Sequence, residues 1–167
     1  MDLQSALLKE HSKAQCDKIV RYIGNDKDRF AELMKLFFKG EYRVTQRAAW
    51  PMSYCVQQYP ELIKPYFGQL AKKLETPGLH DSIPRNILRL LQYIDIPQKH
   101  QGRVMTACFD FIQSNDAAIA IKAFALTVLQ NLSKKYPEIL PELKTIIEER
   151  WEQETAAFRS RAKKLIS

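Results

Sequence analysis

Tyr59-Pro60-Glu61-Leu62-Ile63 returns 77 residues later as Tyr136-Pro137-Glu138-Ile139-Leu140, and Ile96-Pro97 falls near the midpoint. The chain therefore repeats itself with a period of about 38 residues, the range in which stacked supersecondary units recur. A second series keeps the same register. Arg47, Arg85, Lys122 and Arg161 stand 38, 37 and 39 residues apart, each near the start of a segment with helical character.

Outward from these marks, turn and cap residues divide the chain into helix-length pieces: Gly24-Asn25-Asp26, Lys39-Gly40-Glu41, Thr76-Pro77-Gly78, Ser114-Asn115-Asp116 and Gln153-Glu154-Thr155 join the prolines already named. About ten helices fit between them. Apolar residues recur at helical steps, as in Phe30, Leu33, Met34 and Phe37, or Ile121, Phe124, Ala125, Val128, Leu129 and Leu132. Period-two alternation bounded by hairpin turns is not found. Asp116 and Ser82 are placed to cap helices, and Pro60, Pro97 and Pro137 suit first-turn positions. Pro51, inside the helix that begins near Val44, should kink or split it, because it lacks the amide donor.

The 167 residues, 46% apolar and 27% charged, are enough for one domain with its own core and exclude a disordered or fibrous chain. Five glycines leave no room for a glycine-rich phosphate loop. Lysine and arginine number 26 against 19 acids, a formal +7 that favours acidic partners. The excess lies in the middle, +3 over residues 43–95 and +3 over 96–135. Cys16, Cys55 and Cys108 are odd in number and far apart, so they form neither a disulfide framework nor a close metal pair, and a reducing, cytoplasmic setting is expected. No apolar run approaches the length of a membrane span.

The register resembles the HEAT-repeat family of α-solenoids, and the third unit carries it best. There Asp116 in a turn is followed six residues on by Lys122, then by Ala125, Leu129 and Leu132; Glu41 and Arg47 repeat the acid-to-base interval. The resemblance implies an all-α, right-handed superhelix of about five stacked antiparallel helix pairs, residues 2–23, 26–58, 60–95, 97–135 and 137–166, forming one domain over 1–167. Leu3, Leu7 and Leu8 at one end, and Phe158, Ala162 and Leu165 at the other, are expected to pack inward. It further implies that the second helix of each pair lines a concave face. Those helices, expected to start near Val44, Ile83, Ala118 and Ala156, bring together Arg43, Arg47, Trp50, Tyr54, Arg85, Arg89 and Lys122, with Tyr93 beside them. In this family the turn acid and the following base, Glu41 with Arg47 and Asp116 with Lys122, staple neighbouring repeats. Arg43, Arg89, Trp50 and Tyr54 have no such duty and are the stronger binding candidates.

Catalysis finds little support in the residues. His11, His80 and His100 do not share a metal-binding spacing, and no serine or cysteine sits on a turn that would present a nucleophile. The Ser-Ser signature loop of adenylosuccinate lyases is absent. Alkylpurine DNA glycosylases share the HEAT-like build and the basic character, and Trp50 beside Arg43 and Arg47 fits them. The paired tryptophans that flank their catalytic carboxylate are missing, since Trp151 lies in an acidic segment. The expected function is noncatalytic: a cofactor-free module that binds another protein through a basic, aromatic-containing face, with nucleic acid as the alternative ligand and no membrane partner.

Overall fold

The structure is a computed structural model that describes residues 1–166. Among the described residues it holds ten α-helices and no strand: α1 (Leu3–Lys9), α2 (Lys13–Ile23), α3 (Lys27–Lys39), α4 (Tyr42–Gln58), α5 (Phe67–Glu75), α6 (Ser82–Leu91), α7 (Gln98–Gln113), α8 (Ile119–Ser133), α9 (Leu140–Arg150) and α10 (Ala156–Ile166). The all-α reading holds. The chain clusters into two compact units. One comprises Met1–Gly68 with Gly78–Asn86; the other comprises Gln69–Pro77 with the described residues from Ile87 onward.

In the first unit α1 and α2 pack on α4, and α3 packs along α4. The buried stripe Phe30, Leu33, Met34 and Phe37 of α3 explains this, together with Ala48, Met52 and Cys55 of α4 and Ile19 and Ile23 of α2. In the second unit α7 packs on α8, α8 on α10, and α9 on α10, around Cys108, Ile112, Leu126, Leu129, Ile147 and Phe158. Fully burying one such large side chain is worth about 1.5–3 kcal/mol. Leu3 and Leu7 turn inward as expected, and so do Phe158, Ala162 and Leu165; Leu8 does not, being 43% exposed, because α1 spans only two turns and presents one narrow stripe.

The echoed Tyr-Pro sequences have the same backbone. Tyr59 (φ −134, ψ 78) is the C-cap of α4 and Tyr136 (φ −122, ψ 68) stands two residues beyond Lys134, the C-cap of α8; Pro60 and Pro137 both open a short 3-10 turn, Pro60–Tyr66 and Pro137–Ile139. A residue before proline is driven from the α region toward extended backbone, so each pair re-aims the chain. Ile96-Pro97 differs, for Pro97 is the extended N-cap of α7 (φ −56, ψ 141).

Three other expectations are corrected. Pro51 does not split its helix, which runs unbroken over Tyr42–Gln58. The proline is buried beside Leu7, Cys16 and Ile19 around a gap of only about 10 Å³, so tertiary packing outweighs the one lost backbone bond. Asp116 does not cap α8. The capping bonds in that turn come from Ser114, whose hydroxyl accepts from the Asp116 and Ala117 amides, and Asp116 itself is exposed. Ser82 is the first residue of α6, and its hydroxyl donates to Gln46 Oε1 at 3.1 Å. Asp2, Ser12 and Asp26 do cap α1, α2 and α3.

Gly40 joins α3 to α4 where no side chain fits. A Cβ there would strike the Leu36 carbonyl and lie 2.8 Å from Val44 Cγ1. Gly102, inside α7, has open space where a Cβ would project. Gly40→Ala is therefore expected to destabilise by about 1–3 kcal/mol, and Gly102→Ala to stabilise by about 0.5–1 kcal/mol through helix propensity. Denaturant titrations followed by circular dichroism read both, and equal effects of the same sign would refute the packing argument.

Candidate functional site

The structure divides the cations of the second helices into those consumed within the molecule and those left free. In the first unit, the Arg47 Nη1 group donates to the Leu7 and Leu8 carbonyls at 3.0 and 3.1 Å. These lie in the last turn of α1, where helix geometry leaves carbonyls without partners and the dipole favours positive charge. Glu41, expected with Arg47 to staple neighbouring repeats, is exposed and makes no side-chain bond at the start of α4. Arg85 Nη2 donates to Gln46 Oε1 and to the Tyr42 hydroxyl, both at 2.8 Å. Gln46 Oε1 also accepts from Asn86 Nδ2 at 3.0 Å. Together with the Ser82 hydroxyl, this one amide oxygen binds α4 to the start of α6.

Trp50 and Tyr54 face the α1–α2 junction. The Trp50 ring meets His11 edge-on at 5.2 Å, and Lys13 Nζ lies 4.7 Å from the centre of the Tyr54 ring. Both aromatics are half-buried and help seat the first pair. Arg43 is different. It is exposed and makes no hydrogen bond, ion pair or ring contact among the described residues. It borders an open groove of about 1220 Å³ with Leu3, Leu8, Lys35 and Lys39.

In the second unit Lys122 is 6% exposed. Its ammonium donates to the Ser114 carbonyl at 2.8 Å and pairs with Glu154, not with Asp116. The reason is burial: Glu154 has a side chain 6% exposed, while Asp116 points into solvent. Arg150 joins the same carboxylate at 2.8 Å and reaches the Gln113 and Ser114 carbonyls. Two cations thus share one buried acid and tie the α7–α8 turn to the α9–α10 turn. Arg161 Nη1 binds Gln92 Oε1, the Ala123 carbonyl and the Thr127 hydroxyl at 2.9, 3.0 and 3.0 Å. Arg89 on α6 is exposed with no side-chain partner among the described residues, and Tyr93 is 78% exposed.

Of the seven expected contact residues, Arg47, Trp50, Tyr54, Arg85 and Lys122 thus have internal partners, while Arg43 and Arg89 do not. Gln46, Asn86, Arg150 and Glu154, which hold this framework, were not singled out from the sequence as a network. Their only sequence signal is position: Gln46 adjoins Arg47 in the repeat series, and Glu154 sits in the turn before α10.

The chemistry available is recognition of anions and carbonyls. Burial pushes the Cys16 thiol up to about 11 and the Cys55 thiol to about 12, and it raises the fully buried Cys108 as well, so each stays protonated and unreactive near neutral pH. Among the described residues no group of three or more His, Cys, Asp or Glu is placed to hold a metal, and no helix is long and apolar enough to cross a membrane.

A family model described as HEAT repeat domain matches residues 3–167. No curated protein and no solved structure matches the chain.

Glu154→Ala would leave Lys122 and Arg150 buried against each other, and we expect a loss of about 3–5 kcal/mol in unfolding free energy; a change under about 1 kcal/mol would show that the trio is not structural. The cysteines give a second expectation. Their native pKa values lie above the ordinary 9.0, so above pH 9 the unfolded chain loses protons that the folded chain keeps, and stability falls as pH rises. Thiol alkylation at neutral pH should be slow for the native protein and rapid in denaturant; equal rates would contradict the burial.

Proposed function

The chain belongs to the HEAT repeat domain family, and on that premise we propose that it is a noncatalytic binding module for another protein. It engages that partner through the cationic and aromatic faces of its second helices. One observation carries this reading. Internal duties account for Arg47, Arg85 and Lys122, whereas Arg43 in the first unit and Arg89 in the second stand exposed with no partner among the described residues. Trp50 and Tyr54 are engaged by His11 and Lys13 of the first pair. Arginine is enriched among residues that dominate protein interfaces, and a guanidinium free of internal bonds gives up no intramolecular hydrogen bond when it binds outward.

The net +7 favours nucleic acid as a second reading, with Arg43 and Arg89 gripping phosphates. The two separate by experiment. In the protein reading, replacing Arg43 and Arg89 by Ala lowers recovery of specific partners while leaving stability within about 0.5 kcal/mol, because neither side chain has an internal role. Recovery equal to wild type for every partner would discard these residues as contacts. In the nucleic-acid reading, affinity for a short duplex or single strand falls steeply with salt. Absence of binding at about 50 mM salt, where counterion release is most favourable, would end that reading.

A further inference from the structure

Acidic residues are missing from the second helices of the last four pairs, though α2 in the first pair carries Asp17. The second helices α4, α6, α8 and α10 contain nine basic residues and no Asp or Glu. Their partners α3, α5, α7 and α9 all carry acids, Glu32, Glu75, Asp110 and Glu148 among them. A solvated surface mixes both signs, so charge here is segregated by helix.

The second unit shows what this segregation leaves open. Arg161 is held by Nη1 alone, on Gln92 of the α6 end and on Ala123 and Thr127 of α8, and its Cζ lies 5.1 Å from the centre of the half-buried Phe124 ring. Its Nε and Nη2 groups have no acceptor among the described residues. That edge of a guanidinium matches a carboxylate through two parallel hydrogen bonds. It is also fixed in advance, so little rotamer entropy is lost on binding. Arg89 stands in the last turn of α6, three residues before Gln92, which follows the end of that helix together with the exposed Tyr93. Lys164 lies one turn beyond Arg161 on α10 and is exposed.

We infer that this face, built from α6, α8 and α10, binds an acidic peptide segment of a partner protein. One carboxylate takes the open edge of Arg161, a neighbouring aromatic or aliphatic side chain covers Phe124 and Tyr93, and further carboxylates meet Arg89 and Lys164. The inference rests on the protein-binding reading above and adds the chemistry of the partner. A nucleic acid fits the face less well. Duplex DNA carries a charge about every 1.7 Å and is held by many cations, whereas here Lys122 is buried in an ion pair and Arg159 is bound to the Trp151 and Glu152 carbonyls. The free cations are few and interrupted by apolar side chains.

A display library of random short peptides, selected on the intact protein, tests this, followed by fluorescence anisotropy with a synthetic peptide of alternating Glu and Tyr, its Gln-for-Glu counterpart and a single-stranded oligonucleotide. Acidic sequences should be enriched, and the Glu-Tyr peptide should bind about tenfold more weakly to Arg161→Lys and to Arg89→Glu. Arg161→Lys keeps the charge but loses the forked edge and disturbs the internal bonds of Arg161, so circular dichroism is read beside binding; Arg89→Glu touches no internal contact and carries the test if Arg161→Lys is unfolded. Enrichment of neutral or basic peptides, or acidic binding unchanged in both variants, overturns this inference and leaves the protein-binding reading standing. No enrichment at all overturns both. Tighter binding of the oligonucleotide than of the Glu-Tyr peptide overturns the assigned partner class.

Discussion

A long cationic side chain reaching from the start of one helix to oxygen acceptors supplied about 38–40 residues earlier is the interaction on which each compact unit depends. Arg47 does this to Leu7, Arg85 to Gln46 and Arg161 to Ala123, at sequence distances of 40, 39 and 38. The helices it joins are short, from 7 residues in α1 to 17 in α4. Helices of such length are marginal alone in water and need neighbours to cover their apolar stripes. Hydrophobic contact supplies most of that stability but little direction. The forked donors fix which helix end meets which, so the period read along the chain is also a period of hydrogen bonds. Lys122 departs from the rule by pairing forward with Glu154.

Much of this is legible in the residues alone. The Tyr-Pro echo marks two turns of matching backbone, and the spaced cations mark the helices that carry them. Their partners are harder to read. A backbone carbonyl has no residue type to betray it, so nothing in Leu7 or Ala123 announces an acceptor. The six-residue interval from Asp116 to Lys122 marks both as staples between repeats, yet only Lys122 serves as one, and burial gives it Glu154 as partner. Pro51 shows the same limit, because a local rule about backbone donors yields to the packing around the ring. Leu8 is apolar and still exposed, since a two-turn helix has one buried stripe.

The proposed binding surface is legible only in outline. Read as residue types, Arg43, Arg47, Arg85, Arg89 and Lys122 form one class; read as hydrogen-bonded groups they form two, and only exposure without a partner separates Arg43 and Arg89 from the rest. Trp50 and Tyr54 belong with the framework for the same reason, as both are engaged by residues at the start of the chain. The more telling signal lies in the sequence throughout, for counting acids helix by helix reveals a segregation that counting them by chain segment conceals.

The bonds of Arg47, Arg85 and Arg161 all point toward the N-terminus, and this gives the molecule an order of assembly. A chain emerging from the ribosome has its earlier residues free to fold first. When each of these arginines leaves the exit tunnel, the oxygens it needs are already outside, so successive turns can dock before later residues have been made. Of the four cations in the repeat register only Lys122 takes an acceptor made later, so its ion pair forms after the α9–α10 turn that carries Glu154 has emerged.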